Sequence, residues 1–282
     1  MPNRWRFVWL AVALGLAGLL SVRPAQAGTG NADLCENGLD SNLVIAACTP
    51  IVEAGGTRDL SLELALDDRC SARNDIGQFD LALQDCEAAI RLNPDFARTY
   101  NNRGNAHAGR LEYEQAIRDY DSAIRLDPSF EYAYYNRALA RQALGDFAQA
   151  IKDYTSAIRA DPRDPDDYMA RCYSYAIVGE AARAIADCDK SLQLNPSDTA
   201  IVLDSRGYAY LRAGELDRAI ADYDAALELN PSITNSLFGR GVAYARKGRQ
   251  EEAVHDIGTA RTLDPNIDQE MAAIHITAPA GI

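Results

Sequence analysis

Cysteine and histidine are the side chains of this sequence best suited to chemistry, and it contains six cysteines and three histidines. Cys70 and Cys86 are sixteen residues apart, and so are Cys172 and Cys188. Such cysteines could bind a metal, form a redox pair, act as nucleophiles or form disulfide bonds. No Cys-x-x-Cys motif is present, and the histidines lie far apart in sequence, so we expect no zinc site. The histidines are His107, His255 and His275.

The first 27 residues indicate where these thiols reside. Arg4 and Arg6 precede an apolar run from Phe7 to Leu20, and the segment ends in Ala25-Gln26-Ala27. This pattern predicts a secretory signal peptide, residues 1–27, cut after Ala27. An uncleaved membrane anchor is the alternative, but fourteen apolar residues are few for a bilayer span. Export to an oxidising compartment favours three disulfide bonds over six free thiols.

The charge of the chain indicates which partners are excluded. Residues 1–27 contain three arginines and no acidic residue, so the rest of the chain has 25 basic and 41 acidic residues. Its net charge is therefore −16 with histidine neutral. Such a surface repels phosphate backbones and anionic lipid headgroups. We expect no nucleic-acid binding and no membrane insertion after signal cleavage.

A period of 34 residues runs through most of the chain. Prolines occur at intervals of 34, 34, 34, 35 and 34 residues, and each follows a short helical signature such as AAIRLNP or SAIRLDP. A fixed period of this size is typical of stacked helical hairpins. The prolines are Pro94, Pro128, Pro162, Pro196, Pro231 and Pro265.

With each proline numbered as position 32, the six segments share small residues at three further positions. Position 20 is always alanine, position 27 is alanine or serine, and position 8 is glycine, alanine or cysteine. Two antiparallel helices approach closely only where the facing side chains are small. Position 15 is glycine in five of the six segments, as expected where a helix ends in a left-handed residue.

On these residues the sequence resembles the tetratricopeptide repeat family. The resemblance implies an all-α fold, a right-handed superhelical solenoid of stacked antiparallel helix hairpins. It predicts an N-terminal capping segment at 28–62, six repeats at 63–267, and a C-terminal cap and tail at 268–282. The repeats begin at Glu63, Ala97, Glu131, Pro165, Ala200 and Thr234, with Thr199 as one inserted residue.

Two positions depart from the family pattern. Position 7 is arginine in all six repeats, where the family commonly has leucine, and position 23 is aspartate in all six. One interpretation is a basic row that binds a ligand. The other is a ladder of Arg–Asp pairs between neighbouring helices, and the matched count favours the ladder.

The repeat numbering also predicts the disulfide pairing. Cys70 and Cys172 both occupy position 8, and Cys86 and Cys188 both occupy position 24, where other repeats have tyrosine or isoleucine. Because the two helices of a hairpin are close there, we expect these Cα atoms to lie within disulfide reach of ~4.4–6.8 Å. Cys35 and Cys48 then pair by elimination.

In the family, first helices line a concave groove, and positions 2, 5 and 9 point into it. Several of these positions are aromatic here, and rigid aromatic side chains with a polar tip are suitable anchors for a peptide. The alternative is that these tyrosines pack against adjacent repeats. The predicted groove residues are Arg98, Asn101, Asn105, Tyr132, Tyr135, Met169, Tyr173, Asp204, Tyr208 and Phe238.

The resulting hypothesis is a periplasmic or secreted, non-enzymatic adaptor or scaffold that binds a peptide segment of a partner protein. The alternative is a regulatory or accessory subunit of an envelope enzyme or secretion complex. We expect no catalytic residues, no metal and no cofactor, because the repeats and caps leave no room for a catalytic domain. His107 at position 11 is interpreted as a substitute for an aromatic core residue.

Overall fold

The computed structural model describes residues 31–57 and 60–282, and the predicted signal peptide lies outside these residues. The described residues form fifteen α-helices and no strands, which confirms the predicted all-α repeat solenoid. None of these helices is long and apolar enough to cross a membrane. The helices are Asn31–Asn37, Ser41–Glu53, Leu62–Asp75, Phe79–Leu92, Ala97–Gly109, Tyr113–Leu126, Glu131–Ala143, Phe147–Ala160, Pro165–Ile177, Ala181–Gln193, Thr199–Ala213, Leu216–Leu229, Thr234–Arg246, Gln250–Leu263 and Ile267–Ala273.

The helices belong to two compact units. The N-terminal unit contains the described residues up to Asp146, and the C-terminal unit contains Phe147–Ile282. Within each unit, consecutive helices form antiparallel hairpins that pack side by side. The first helix of repeat three lies in the N-terminal unit and its second helix in the C-terminal unit.

The Asn-Pro and Asp-Pro pairs end the second helix of most repeats. Proline cannot continue a helix, and the preceding residue is driven to an extended conformation. Asn93, for example, has φ −136° and ψ 93°. Its side-chain oxygen accepts a hydrogen bond from the backbone N–H of Asp95 at 3.2 Å. The side chains of Asp127, Asp161, Asn230 and Asp264 accept equivalent bonds from the residue two positions later.

The first helices end at a left-handed residue. Glycine takes this position in five repeats, with φ between 75° and 86°. In repeat two Leu111 occupies it instead, with φ 65°. A leucine there carries a steric cost that glycine avoids. The same backbone turn thus forms without the residue that makes it easy.

Glycine at position 8 allows close approach within a hairpin. A Cβ built on Gly104 would lie 2.6 Å from the ring of Tyr120, and one on Gly207 would lie 2.9 Å from that of Tyr223. Both tyrosines are 1% exposed. The alanines at position 20 are fully buried in all six repeats. The small residues of the first helix therefore leave space for a large aromatic ring of the second helix.

Where position 8 is cysteine, a disulfide bond takes the place of the ring. Cys70 bonds to Cys86 with a Cα–Cα distance of 5.6 Å, and Cys172 bonds to Cys188 at 5.4 Å. The third bridge joins Cys35 to Cys48 at 4.9 Å. These pairs are the ones expected from the sequence, and a closed interval of sixteen residues stabilises by about 3 kcal/mol in the chain-entropy model.

Five of the arginines at position 7 pair with the aspartate at position 23 of their own repeat, as the ladder interpretation predicted. In Arg240, Nε and Nη2 donate to the two carboxylate oxygens of Asp256 at 2.7 and 2.9 Å. The same two-bond contact occurs in the pairs Arg69–Asp85, Arg103–Asp119, Arg171–Asp187 and Arg206–Asp222. Such paired contacts fix the geometry of both side chains.

In three of these arginines, the third nitrogen contacts the preceding repeat. Nη1 of Arg240 donates to Asp224 at 2.7 Å, and Nη1 of Arg206 donates to Asp189 at 2.6 Å. In repeat four, Arg171 donates to the hydroxyl of Thr155 at 3.0 Å. Each acceptor lies at position 25 of the preceding repeat. One guanidinium therefore joins the two helices of its own hairpin and also binds the preceding hairpin. The sequence prediction did not include this second contact.

The two ends of the described chain lie in the predicted capping segments. At the N-terminal end, residues Asn31–Asn37 form a helix in which Cys35 is buried. At the C-terminal end, the predicted cap and tail at 268–282 overlaps one short helix. The helix is Ile267–Ala273, and Ile276 beyond it is only 1% exposed. Residues 274–282, which we call the returning segment, fold back on the C-terminal unit.

Candidate interaction face

The predicted groove residues occupy positions 2, 5 and 9 of the first helices. We call the surface formed by these three positions the groove face. In the N-terminal unit, Tyr132 is 61% exposed and its ring packs edge-on against Phe130 at 6.2 Å. Tyr135 is half-buried on the same helix. The groove face of the N-terminal unit thus carries one exposed aromatic ring, that of Tyr132.

Arg98, at position 2 of repeat two, is bound to two carboxylates. Its Nε lies 2.5 Å from Asp67, and its Nη2 lies 2.6 Å from Asp68. Burial raises the pKa of both carboxyls, that of Asp68 to about 6, and the nearby Arg98 charge opposes the rise. The positive charge of Arg98 is thus neutralised within the chain. A strongly acidic peptide would have to compete with these two aspartates.

The two predicted groove asparagines take part in internal hydrogen bonds. Asn101 is 5% exposed and accepts a bond from the side-chain amide of Asn136 at 3.0 Å. Asn105 accepts a bond from the Tyr120 hydroxyl at 2.8 Å. Both side chains therefore help to align neighbouring helices. The family numbering alone does not reveal this role.

In the C-terminal unit, two predicted groove residues are core residues. Phe238 is fully buried and Met169 is 2% exposed, and both belong to the hydrophobic cluster of this unit. Tyr173 is half-buried and packs edge-on against Phe147, with ring centroids 6.4 Å apart. The alternative that groove aromatics pack against adjacent repeats describes these positions well.

The returning segment covers the groove face of repeats four to six. The Tyr208 hydroxyl donates to the backbone carbonyl of Ile274 at 2.5 Å and accepts a bond from Arg212 at 2.9 Å. Asp204 lies beside it and accepts a bond from Ser236 at 2.5 Å, while burial raises the pKa of Asp204 to about 6. A narrow crevice remains. It is lined by groove-face residues, by one residue of the last helix and by the returning segment: Tyr173, Asp204, Tyr208 and Asn235, then Met271, then Ile274 and Ile276.

Sequence reasoning missed the returning segment. A faint signal was present, because Ile274 and Ile276 are aliphatic residues at alternate positions in a stretch without Asp, Glu, Lys or Arg. Alternation of this kind is typical of an extended chain with one buried side, whereas Ile274 and His275 form a turn here. Two such residues are too few to distinguish it from a disordered tail.

The cysteines and histidines form no reactive cluster among the described residues. All six cysteines are in disulfide bonds, and no group of three potential metal ligands occurs in this part of the chain. The Nδ1 of His107 lies 2.7 Å from a carboxylate oxygen of Glu112, and the imidazole is half-buried. This contact ties His107 to the turn that follows its helix.

Family models support the repeat assignment. Models described as tetratricopeptide repeat match residues 205–266 and 131–164, and one described as TPR repeat matches 71–109 and 112–145. Together these segments cover more than half of the chain. No curated protein matches the chain significantly.

Solved structures give the same fold. YrrB, a TPR protein with an unusual peptide-binding site, is 25% identical over 67% of this chain and 96% of its own, with a TM-score of 0.53. A tetratricopeptide repeat protein from Parabacteroides merdae is 17% identical over 87% of this chain and 96% of its own, with a TM-score of 0.61. The Cut9–Hcn1 hetero-tetramer of the APC/C is 20% identical over 86% of this chain and 47% of the matched one, with a TM-score of 0.62.

Proteins with this fold are generally non-enzymatic scaffolds that bind other proteins or peptides. The 34-residue period, the packed hairpins and the matching models all agree. The chain belongs to the tetratricopeptide repeat family.

Proposed function

We propose that this protein is a non-enzymatic adaptor outside the cytoplasm, and that its groove face binds a peptide segment of a partner protein. The observation that carries the proposal is the contact between the Tyr208 hydroxyl and the backbone carbonyl of Ile274. The groove face of the C-terminal unit already holds the turn after the last helix by a hydrogen bond from a side-chain hydroxyl to a backbone carbonyl. Recognition of a backbone carbonyl is independent of the side chain that the bound residue carries.

The exposed ring of Tyr132 is the proposed anchor on the N-terminal unit. Its neighbours on the groove face, Arg98, Asn101 and Asn105, are held by internal hydrogen bonds and ion pairs. A face with little side-chain freedom loses little entropy when a ligand binds, which favours affinity. The similarity to YrrB, described as having a peptide-binding site, supports the same mode of action.

The proposed location outside the cytoplasm rests on the predicted signal peptide and on three disulfide bonds. Such bonds persist in oxidising compartments and are rare in the cytosol. The mass of the exported protein tests this part of the proposal. We expect a chain that begins at residue 28 and contains no free thiol. A chain that keeps residues 1–27 and stays in the cytosol would contradict the proposed location.

Site-specific photo-cross-linking in the native cell tests the binding face. A photoreactive residue in place of Tyr132 should give one or a few discrete protein adducts. The matched control is Leu92, which is 52% exposed near the end of a second helix in the same unit. Adducts of equal yield from both positions, or adducts from Leu92 alone, would move the binding site away from the groove face.

A further inference from the structure

The returning segment enters the groove face through a turn after the last helix. The backbone N–H of Ile276 donates to the carbonyl of Met271 at 2.9 Å, and His275 between them has φ 67°. A left-handed conformation at a residue other than glycine is uncommon and strained. This turn aims the side chains of Ile274 and Ile276 at the core of the C-terminal unit, where they are 7% and 1% exposed.

The contacts of the segment are apolar side chains and one backbone carbonyl. Ile274 and Ile276 join the hydrophobic cluster, and Ala278 and Ile282 pack against its edge. The carbonyl of Ile274 accepts the bond from Tyr208 described above. Residues 274–282 contain no Asp, Glu, Lys or Arg. The repeats therefore recognise this segment without any ion pair from these four residue types.

The covered surface is the one that would meet an external peptide. Tyr173, Asp204 and Tyr208 are groove positions by the repeat numbering, and all three line the crevice against Ile274 and Ile276. An external peptide and the returning segment cannot occupy this surface together. Binding of one must displace the other.

Beyond Ile276 the segment has few ties to the repeats. The backbone hydrogen bond from Ile282 is to Pro279, within the segment itself. The side chains of Thr277 and Ala280 are exposed. A short stretch attached by few contacts can open locally without unfolding of the helices beneath it.

We propose that the returning segment is a displaceable internal ligand of repeats four to six, and that their partner is an uncharged peptide that presents aliphatic side chains at two alternate positions from a turn, as Ile274 and Ile276 do. This inference rests on the proposed peptide-binding function and names the peptide that this half of the groove face takes. Competition by the internal segment lowers the apparent affinity of that partner by the fraction of time the face is open.

A binding experiment tests the proposal with a synthetic peptide of residues 271–282 as the probe. The unmodified full chain is compared with Ile276→Ser, which loosens the internal segment. The control is Val254→Ser, which makes a similar change at a 49% exposed position on a second helix. We expect Ile276→Ser to bind the peptide at least about tenfold more tightly than the other two proteins, because its groove face is open more often. Equal affinity in all three, or no binding to any, would overturn the proposal.

Hydrogen exchange on the unmodified chain is a second test that needs no variant. The amide of Ile276, which donates to the carbonyl of Met271 when the segment is closed, should exchange at least about a hundredfold faster than those of Leu237–Ala245, because the segment opens on its own. Equal protection would make the segment a permanent part of the core and overturn the proposal. The proposal would also be overturned if the unmodified chain is a dimer and Ile276→Ser is a monomer, because a second copy of the chain would then cover the groove face of repeats four to six. The cross-link at Tyr132 reports on the other unit, so failure of either proposal is seen separately.

Discussion

Asp204 provides a stability test whose sign follows from its surroundings. Its carboxylate lies among Tyr173, Tyr208 and Tyr223, with a hydrogen bond from Ser236. Burial raises its pKa from 3.8 to about 6, while the bond from Ser236 opposes the rise. The folded protein therefore holds this proton more tightly than the unfolded chain. The contribution of Asp204 to the free energy of unfolding is complete below about pH 4. It is lost as the pH rises from about 4 through about 6, because the buried carboxyl then ionises.

The size of the effect follows from the pKa shift. One pKa unit corresponds to about 1.4 kcal/mol, so the shift to about 6 corresponds to at most about 3 kcal/mol. Since the Asp204 side chain is only half-buried, solvent screening reduces this figure. We expect Asp204→Asn to raise the free energy of unfolding at pH 7.5 by about 1–3 kcal/mol, because the amide carries no charge to desolvate and can still accept from Ser236. At pH 4 the variant and the parent should be nearly equal.

The assay is urea denaturation followed by circular dichroism at several pH values between 4 and 8. The difference between variant and parent isolates Asp204 from the other groups that titrate. Glu228→Gln is the control, because it removes one negative charge from an exposed position in the same repeat. A difference that does not change with pH, or a variant less stable than its parent at pH 7.5, would show that burial of the Asp204 charge does not destabilise the fold.

Three further predictions concern the repeats themselves. Replacing both Cys172 and Cys188 by alanine should lower the free energy of unfolding by about 3 kcal/mol, and the difference from the parent should disappear in reductant. Gly104→Ala should destabilise by about 1–2 kcal/mol in thermal denaturation because of the Tyr120 ring, whereas Gly258→Ala, which meets nothing within 4 Å, should stabilise by about 0.5–1 kcal/mol. Arg240→Met should lower the free energy of unfolding by about 3–5 kcal/mol, because it leaves the buried carboxylate of Asp256 unpaired. The double variant Arg240→Met, Asp256→Leu should regain much of that loss. A double variant no more stable than the single one would contradict this last prediction.

Most of the fold could be predicted from the sequence because each hairpin repeats the same local constraints. Proline at position 32 and glycine at position 15 set helix ends, and the small residues set the approach of the helices. These are local effects that a single 34-residue segment already contains. The Arg–Asp pairs also followed from one segment, because position 7 and position 23 face each other within a hairpin.

The candidate interaction face was less predictable because its contacts are not local. Arg98 pairs with Asp67 and Asp68, thirty or more residues earlier, and those aspartates look like ordinary surface residues in the sequence. The backbone carbonyl of Ile274 accepts a hydrogen bond from the hydroxyl of Tyr208, which lies 66 residues earlier in the chain. No repeated pattern encodes such a contact, since it occurs once. The burial of Phe238 has a similar origin in the hydrophobic cluster that includes Ile274 and Ile276.

The order of the three disulfide bonds along the chain has a consequence for biosynthesis. Each cysteine is joined to the next one in sequence, at separations of 13, 16 and 16 residues, so no bridge encloses another. Oxidation of each pair as it emerges, first with second, third with fourth, fifth with sixth, yields the native connectivity directly. A polypeptide that crosses a membrane from its amino end could therefore complete its covalent structure without an isomerase to reshuffle wrong bonds.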